Sequence, residues 1–325
     1  MTSSATQADA ALLVVTAAFS EFEVGLAHGT KDHLVVLKIL GIGHLVVAVN
    51  KMDTVGYSQE RYDTVVRELK LLLKQFRFKD DAVVGFCPVS GMKGTNISKT
   101  DSASTPWYTG PPLLELLDRC PLESRFLDAS LRLSVQDVQD SRIFCKVECG
   151  KLRKSDRLIF VPADVKVHVR TLERPTAGGL VEAAFAGDTV VIDTSSSLVG
   201  LYPGCVGCDA AGSDVTRCST DFKARVQTYA ALPRAILPGT RFTMVCHALT
   251  VEVQVLSLLA KMGQGGTWST GMVKCISRST QALIVFKAER KIPLEPAEVC
   301  RALGRFVLQQ DGETVAGGLV EAVML

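Results

Sequence analysis

The residues Leu45-Val46-Val47-Ala48-Val49-Asn50-Lys51-Met52-Asp53 decide the fold. A continuous apolar run rich in valine reads as a short strand of a parallel sheet, buried on both faces. A polar tetrapeptide begins where the run stops. In open α/β sheets the ligand crevice lies at the carboxyl ends of the strands, so Asn50, Lys51 and Asp53 stand where a site is expected.

Outward from this stretch the same texture continues. Ala11-Leu12-Leu13-Val14-Val15 is a second apolar run, again expected to be buried on both faces. A helical stretch starts near Lys31, with Leu34, Leu37 and Leu40 at helical spacing. Residues 58–76 predict a long amphipathic helix: Ser58 can cap it, and Val65, Val66, Leu69, Leu72 and Leu73 form one stripe. Residues 82–86 read as a third strand, and residues 113–117 as a last helix opened by Pro111-Pro112. Strands alternating with helices predict a doubly wound parallel sheet, an α/β domain over residues 1–121.

Beyond Pro121 the period changes. Leu131-Arg132-Leu133-Ser134-Val135, Val165-Lys166-Val167-His168-Val169 and Val251-Glu252-Val253-Gln254-Val255 alternate with period two, and glycine and proline punctuate the runs. Two late runs flank Asp311-Gly312-Glu313, a hairpin signal. So long an all-β stretch predicts two barrels, residues 127–212 and 216–325, with the natural break in 207–217.

Composition agrees with a multidomain protein. The 325 residues are 47% apolar, and 36 basic against 34 acidic side chains leave +2, which argues against a polybasic tail. Ten cysteines without a secretory signal read as reduced thiols. The apolar run 10–19 has no Lys or Arg before it and Asp9 at its border, unlike a signal peptide. No run reaches the ~18–20 apolar residues of a membrane span. The expectation is a soluble, cytoplasmic protein with no membrane partner.

The tetrapeptide suits a guanine base. A carboxylate such as Asp53 can accept from the ring N–H and the exocyclic amine together, a donor pair that adenine does not offer. Asn50 would tie neighbouring loops to the base, and the apolar stem of Lys51 can lie along the base plane. Alone, such a short match equally describes a solvated turn. The second element is Ser90-Gly91-Met92, at the end of the next strand, where a Ser-Gly turn lets backbone N–H groups approach the guanine carbonyl oxygen.

With these motifs in place the chain resembles the elongation factor 1-alpha superfamily of translational GTPases. The resemblance rests on Thr30-Lys31-Asp32-His33, on Gly41-Ile42-Gly43-His44 leading into Asn50-Lys51-Met52-Asp53, and on Ser90-Gly91-Met92-Lys93-Gly94-Thr95-Asn96-Ile97. Trp107-Tyr108-Thr109-Gly110-Pro111 and Gly304-Arg305-Phe306-Val307-Leu308 extend it. It implies a G-domain portion followed by two β-barrels, GTP or GDP as ligand, the ribosome as partner, and no DNA partner. Val55-Gly56-Tyr57-Ser58-Gln59-Glu60-Arg61-Tyr62, Leu73-Lys74-Gln75-Phe76 and Leu113-Leu114-Glu115-Leu116-Leu117-Asp118 are similar to the HBS-type ribosome-rescue GTPases, which act with Pelota. Elongation factor 1-alpha carrying aminoacyl-tRNA, a class-2 release factor, and a catalytically dead ribosome-binding scaffold are the alternatives.

Nothing in the sequence matches G-x-x-x-x-G-K-[ST], the phosphate-cradling loop. The resemblance implies that this loop, the switch segments, the Mg²⁺ ligand and the catalytic His all precede residue 1, and residues 1–9 resemble the helix after that His. The expectation is a fragment of a longer GTPase, with a pseudo-GTPase as the alternative. Hydrolysis and Mg²⁺ are expected only of the complete protein, and no catalytic residue is assigned here. In the barrels, Lys154-Ser155-Asp156 replaces the family's usual Gly-Asp turn.

Other tempting residues have plainer readings. Cys205 and Cys208, with Cys218 nearby, lack the fourth ligand of a structural zinc site and read as buried thiols. His33, His44, His168 and His247 read as structural or surface residues, and Trp107-Tyr108 as a packing anchor against the barrel.

Overall fold

A computed structural model describes residues 8, 10–39, 42–76, 78–121, 127–175, 178–212, 214–229, 232–263, 267–269 and 271–324. Leu40, Gly41 and the family-like segment 1–7 lie outside the described residues. The chain divides into two units, Ala8–Glu123 and Ser124–Leu325.

The first unit is an α/β layer structure. Its elements are β1 (Ala10–Thr16), α1 (Glu21–His28), α2 (Thr30–Ile39), β2 (His44–Asn50), α3 (Gln59–Gln75), β3 (Val83–Pro88) and α4 (Leu113–Asp118). The strands form a parallel sheet in the order β1-β2-β3, so β2 is central. The whole run Leu45 to Val49 is buried, as a central strand between two layers requires. One face packs Leu45, Val47 and Val49 with Leu13, Val15 and the α3 residues Val65, Leu69 and Leu72. The other packs Val46, Ala48, Cys87 and Val89 against Leu113 and Leu116 of α4. Each such buried aliphatic side chain contributes ~1.5–3 kcal/mol. Gly85 permits that second layer: a Cβ there would stand 2.6 Å from Leu116 Cδ2.

Two expectations are corrected, and one element escaped the sequence reading. β1 is not buried on both faces, since Leu12 is 41% and Val14 55% exposed. They lie opposite Val46 and Ala48 in the register, on the α4 face, and are only about half covered there. An edge strand keeps the composition of a central one while lacking one of its layers. Helix α1, eight residues long and ended at Gly29, is too short to give a clear period. Trp107 anchors within this unit: its indole N–H donates to the Tyr57 carbonyl at 3.0 Å, and its ring meets Tyr62 at 5.1 Å. The Ser58 cap is formed, its hydroxyl oxygen accepting from the Arg61 N–H.

Among its described residues the second unit is predominantly β. Strands β4 (Arg132–Gln139), β5 (Arg142–Cys149), β6 (Lys151–Arg153), β7 (Arg157–Val161), β8 (Val165–His168), β9 (Thr171–Arg174), β10 (Gly179–Leu180), β11 (Ala183–Phe185), β12 (Thr189–Asp193) and β13 (Val206–Asp209) come first. Eight of them form one sheet, β10-β9-β12-β5-β4-β13-β7-β8, wrapped round a core that includes Leu133, Ile143, Val147, Phe160 and Ile192. Period-two burial is direct here: along β5, Ile143, Cys145, Val147 and Cys149 point inward.

The remaining elements are β14 (Cys218–Thr228), β15 (Arg241–Cys246), β16 (Leu249–Met262), β17 (Trp268–Ser269), β18 (Gln281–Pro293), α5 (Arg301–Gly304), β19 (Arg305–Gln310) and β20 (Glu313–Val323). Their order is β15-β19-β20-β14-β18-β16-β17, and a further β15–β16 pairing closes a barrel. Phe222, Phe286 and Phe306 pack ring to ring at its centre. Asp311 and Gly312, both at positive φ, make the tight hairpin turn between β19 and β20.

Polar links join the two barrels. Arg132 on β4 donates through Nε to Glu295, and through Nη2 to Asp214 at 3.0 Å. Thr216 also donates to Glu295, at 2.8 Å. Arg132 and Glu295 are 3% and 7% exposed, so each charge depends on the other: removing one partner of such a pair costs ~3–5 kcal/mol.

His247, in the β15–β16 turn, is 1% exposed, and both ring nitrogens lack a hydrogen-bond partner. Burial lowers its pKa from 6.5 to about 4, outweighing the nearby Pro293 backbone. The unfolded chain binds the proton more readily, so this contribution is complete above the unfolded pKa and shrinks as pH falls toward the folded one. Stability should therefore drop by about 3 kcal/mol from this group between pH ~6.5 and ~4. Urea unfolding across that range should show a shallower pH slope for His247→Asn than for the parent; equal slopes would refute the assignment.

Candidate functional site

The parallel register brings two strand ends together. Thr16 pairs with Asn50 and Val49 with Pro88, so β1, β2 and β3 finish on one edge of the sheet. Past the sheet the backbones stay joined: Val89 N–H donates to Val49 O at 2.8 Å, and Met52 N–H to Val89 O at 3.1 Å. Lys51 takes a left-handed conformation, φ 60°, which turns the chain into the short 3-10 helix Met52–Val55.

Asn50 and Asp53 each reach across to the second loop. The Asn50 side-chain oxygen accepts from Gly91 N–H at 2.9 Å and from Lys51 N–H at 2.7 Å. The Ser90 hydroxyl donates to Asp53 Oδ1 at 2.6 Å, and Ser90 Oγ accepts from Lys93 N–H at 3.3 Å. That Ser90 bond comes first among the causes holding the Asp53 carboxyl below its usual range. The carboxylate is thus ionised, oriented and still partly open to solvent.

Met92 follows Gly91 in the turn with its side chain 94% exposed, outside this bonded cluster. Lys51 sends its ammonium 2.7 Å to Glu21, a partner that the motif does not reveal. Gly91 needs no glycine conformation: its φ is not in the left-handed region, and an added Cβ would lie 3.5 Å from the Asn50 amide, in ordinary contact. What the structure shows of the Ser-Gly turn is its tie to the first loop through the Asn50 bridge.

Sequence reasoning also missed the support beneath the second loop. Asn96 is fully buried at φ 56°, and its Nδ2 donates to Pro88 O at 2.9 Å and Thr105 Oγ1 at 3.0 Å. Its Oδ1 accepts from Asp101 N–H at 2.7 Å. Tyr57 and Thr95 hydroxyls meet at 3.0 Å, tying the α3 entry to the same loop. Arg61, 9% exposed, donates to the Ala17 and Ala18 carbonyls and to Glu23, with Phe19 beneath it at 4.4 Å. An asparagine in a left-handed turn is the one signal that could have marked residue 96.

The arrangement offers a carboxylate held in a fixed direction at the edge where the two loops meet. Among the described residues no group of three or more His, Cys, Asp or Glu could hold a metal ion. Cys208 instead accepts from Thr216 N–H at 3.4 Å.

The wiring makes opposite demands on neighbours in one loop. Asn96→Ala should cost ~1–3 kcal/mol by leaving buried groups unpaired, whereas Gly91→Ala should stay within ~0.5 kcal/mol. Chemical denaturation checks both, and equal losses would contradict this account of the loop.

Comparison with known proteins gives a consistent result. The family model for the elongation factor Tu GTP binding domain matches residues 1–124, and that for the GTP-eEF1A C-terminal domain-like family matches 221–321. The chain is 35% identical over 327 residues to elongation factor 1-alpha of Pyrobaculum islandicum, covering 97% of this chain and 72% of that protein. It is similar to Sup35 complexed with GDP, at TM-score 0.58 and 28% identity, covering 100% of this chain and 81% of that one. The Ski7 GTPase-like domain of S. cerevisiae, bound to GTP, shares the fold at TM-score 0.72 and 15% identity, over 97% of this chain and 74% of that one. The strand-end motifs, the β-barrels and these likenesses together show that the chain belongs to the elongation factor 1-alpha/elongation factor Tu superfamily of translational GTPases.

Proposed function

We propose that the edge formed by Asn50, Lys51, Asp53, Ser90, Gly91 and Met92 reads the guanine base of GTP or GDP. The observation that carries this reading is the orientation of Asp53 by Ser90 beside the Asn50–Gly91 bridge. Asp53 would accept from guanine N1–H and the 2-amino group, the Met92 backbone N–H would face the carbonyl oxygen from a turn that Asn50 holds through Gly91, and the Lys51 stem would cover the ring. Guanine supplies the donor pair that a fixed carboxylate needs. Adenine does not, and would leave the charge desolvated and unpaired. The phosphate-loop consensus is not in this sequence, so no hydrolytic or Mg²⁺-dependent step is assigned to these residues.

Saturation-transfer NMR with millimolar GDP, ADP and XDP tests the reading. The parent should favour GDP over ADP by about tenfold or more. Asp53→Asn should favour XDP, because a carboxamide offers one donor and one acceptor, and xanthine presents one of each. Equal binding of GDP and ADP would refute it.

We further infer that the chain acts on the ribosome in the cytoplasm as the carrier of a tRNA-shaped partner, with boundaries 1–121, 127–212 and 216–325 as its functional segments. The segments around Val55 and Leu113 support a Pelota-like protein as that partner. The likeness to elongation factor 1-alpha favours aminoacyl-tRNA as the second reading. Affinity purification should recover a Pelota-like protein; recovery of charged tRNA or a release factor instead would replace the first reading.

A further inference from the structure

Two thiols meet at the seam between the barrels. Cys149 ends β5 of the first, and Cys300 precedes α5 in the second. Their sulfurs lie 3.4 Å apart across 151 residues of sequence. Both are buried, 3% and 1% exposed, in a cluster with Val206, Cys208 and Leu303. Other thiols of the chain meet different groups: Cys208 contacts the Thr216 hydroxyl, Cys87 the carbonyls of Asn96 and Pro111, and Cys246 the carbonyl of Leu303. Cys208 shares the cluster but turns its sulfur to Thr216, so the close sulfur–sulfur contact at the seam lies between Cys149 and Cys300.

The pair is electronically asymmetric. The hydrogen bond across it holds Cys149 below the ordinary thiol value against burial, and it pushes Cys300 up. Of the two sulfurs, Cys149 is thus the one more readily deprotonated. Two thiols in direct sulfur–sulfur contact form the arrangement that oxidation to a disulfide requires.

We propose that Cys149 and Cys300 are a modification site at which a peroxide forms a reversible disulfide stapling one barrel to the other. The Cys149 sulfur attacks a peroxide oxygen, the O–O bond breaks, and a sulfenic acid forms as hydroxide leaves and takes up a proton. The Cys300 sulfur then attacks the Cys149 sulfur, the S–S bond forms, and the S–O bond breaks. The departing hydroxide takes the Cys300 proton. Overall two thiols lose two electrons and one hydrogen peroxide becomes two waters. The sulfurs close from 3.4 Å to the ~2.05 Å of a disulfide bond.

The test uses the full chain under native conditions, oxidised with hydrogen peroxide, alkylated, digested and mapped by mass spectrometry without reduction. The expected result is a peptide pair joined through Cys149 and Cys300, two hydrogens lighter than the separate peptides and released by dithiothreitol. Cys149→Ser and Cys300→Ser should each abolish the joined pair, while Cys275→Ser, at an exposed cysteine, should keep it. Recovery of Cys149 and Cys300 as separately alkylated thiols after oxidation would overturn the proposal, as would their linkage only to other cysteines. The parent's peptide map decides the matter even if a serine variant does not fold.

Discussion

Asn50 places one side-chain oxygen between two backbone N–H groups, its own neighbour's and that of Gly91 in the next loop. Everything at the site depends on that bridge. It joins the loops that follow two adjacent parallel strands, and it does so only because the register sets Val49 beside Pro88. With the loops joined, Ser90 can orient Asp53, and a carboxylate that would otherwise sample many rotamers is held in one direction. A fixed acceptor discriminates between bases because the wrong base leaves it unpaired, so the energy of reading comes from the scaffold as much as from the motif.

Beneath the bridge lies a buried polar frame. Asn96 ties Pro88, Asp101 and Thr105 together under the second loop, while Arg61 holds the β1–α1 connection and Glu21 holds Lys51. Asn96 and Arg61 satisfy backbone atoms that irregular chain would otherwise leave unpaired inside the protein, whereas Glu21 and Lys51 form an exposed ion pair. Rigid support of this sort lets loops carry recognition while the strands below carry stability.

Much of the α/β unit was legible because Leu45 to Val49 and the stripe on α3 record their environments residue by residue. That Asn50, Asp53 and Ser90 fall in adjacent strand-end loops was legible for another reason, since their spacing follows directly from strand ends. What escaped was whatever depends on layers or distant partners. The run around Leu12 and Val14 has the composition of a central strand but occupies an edge, a distinction that apolar content does not encode. The partners of Lys51, Asn96 and Trp107 lie 30, 9 and 50 residues away, and no local pattern marks them. The barrel seam was equally hidden: Arg132 finds Glu295 across 163 residues, and Cys149 finds Cys300 across 151.

The central claim is that the Asn50–Asp53 and Ser90–Met92 loops together read guanine. Amide chemical-shift mapping of the chain titrated with GDP, with ADP as the control, tests it most directly. The account predicts GDP-dependent shifts concentrated at residues 50–53 and 90–93, with ADP leaving them nearly unmoved. Shifts of equal size with both nucleotides, or shifts centred elsewhere in the chain, would contradict it.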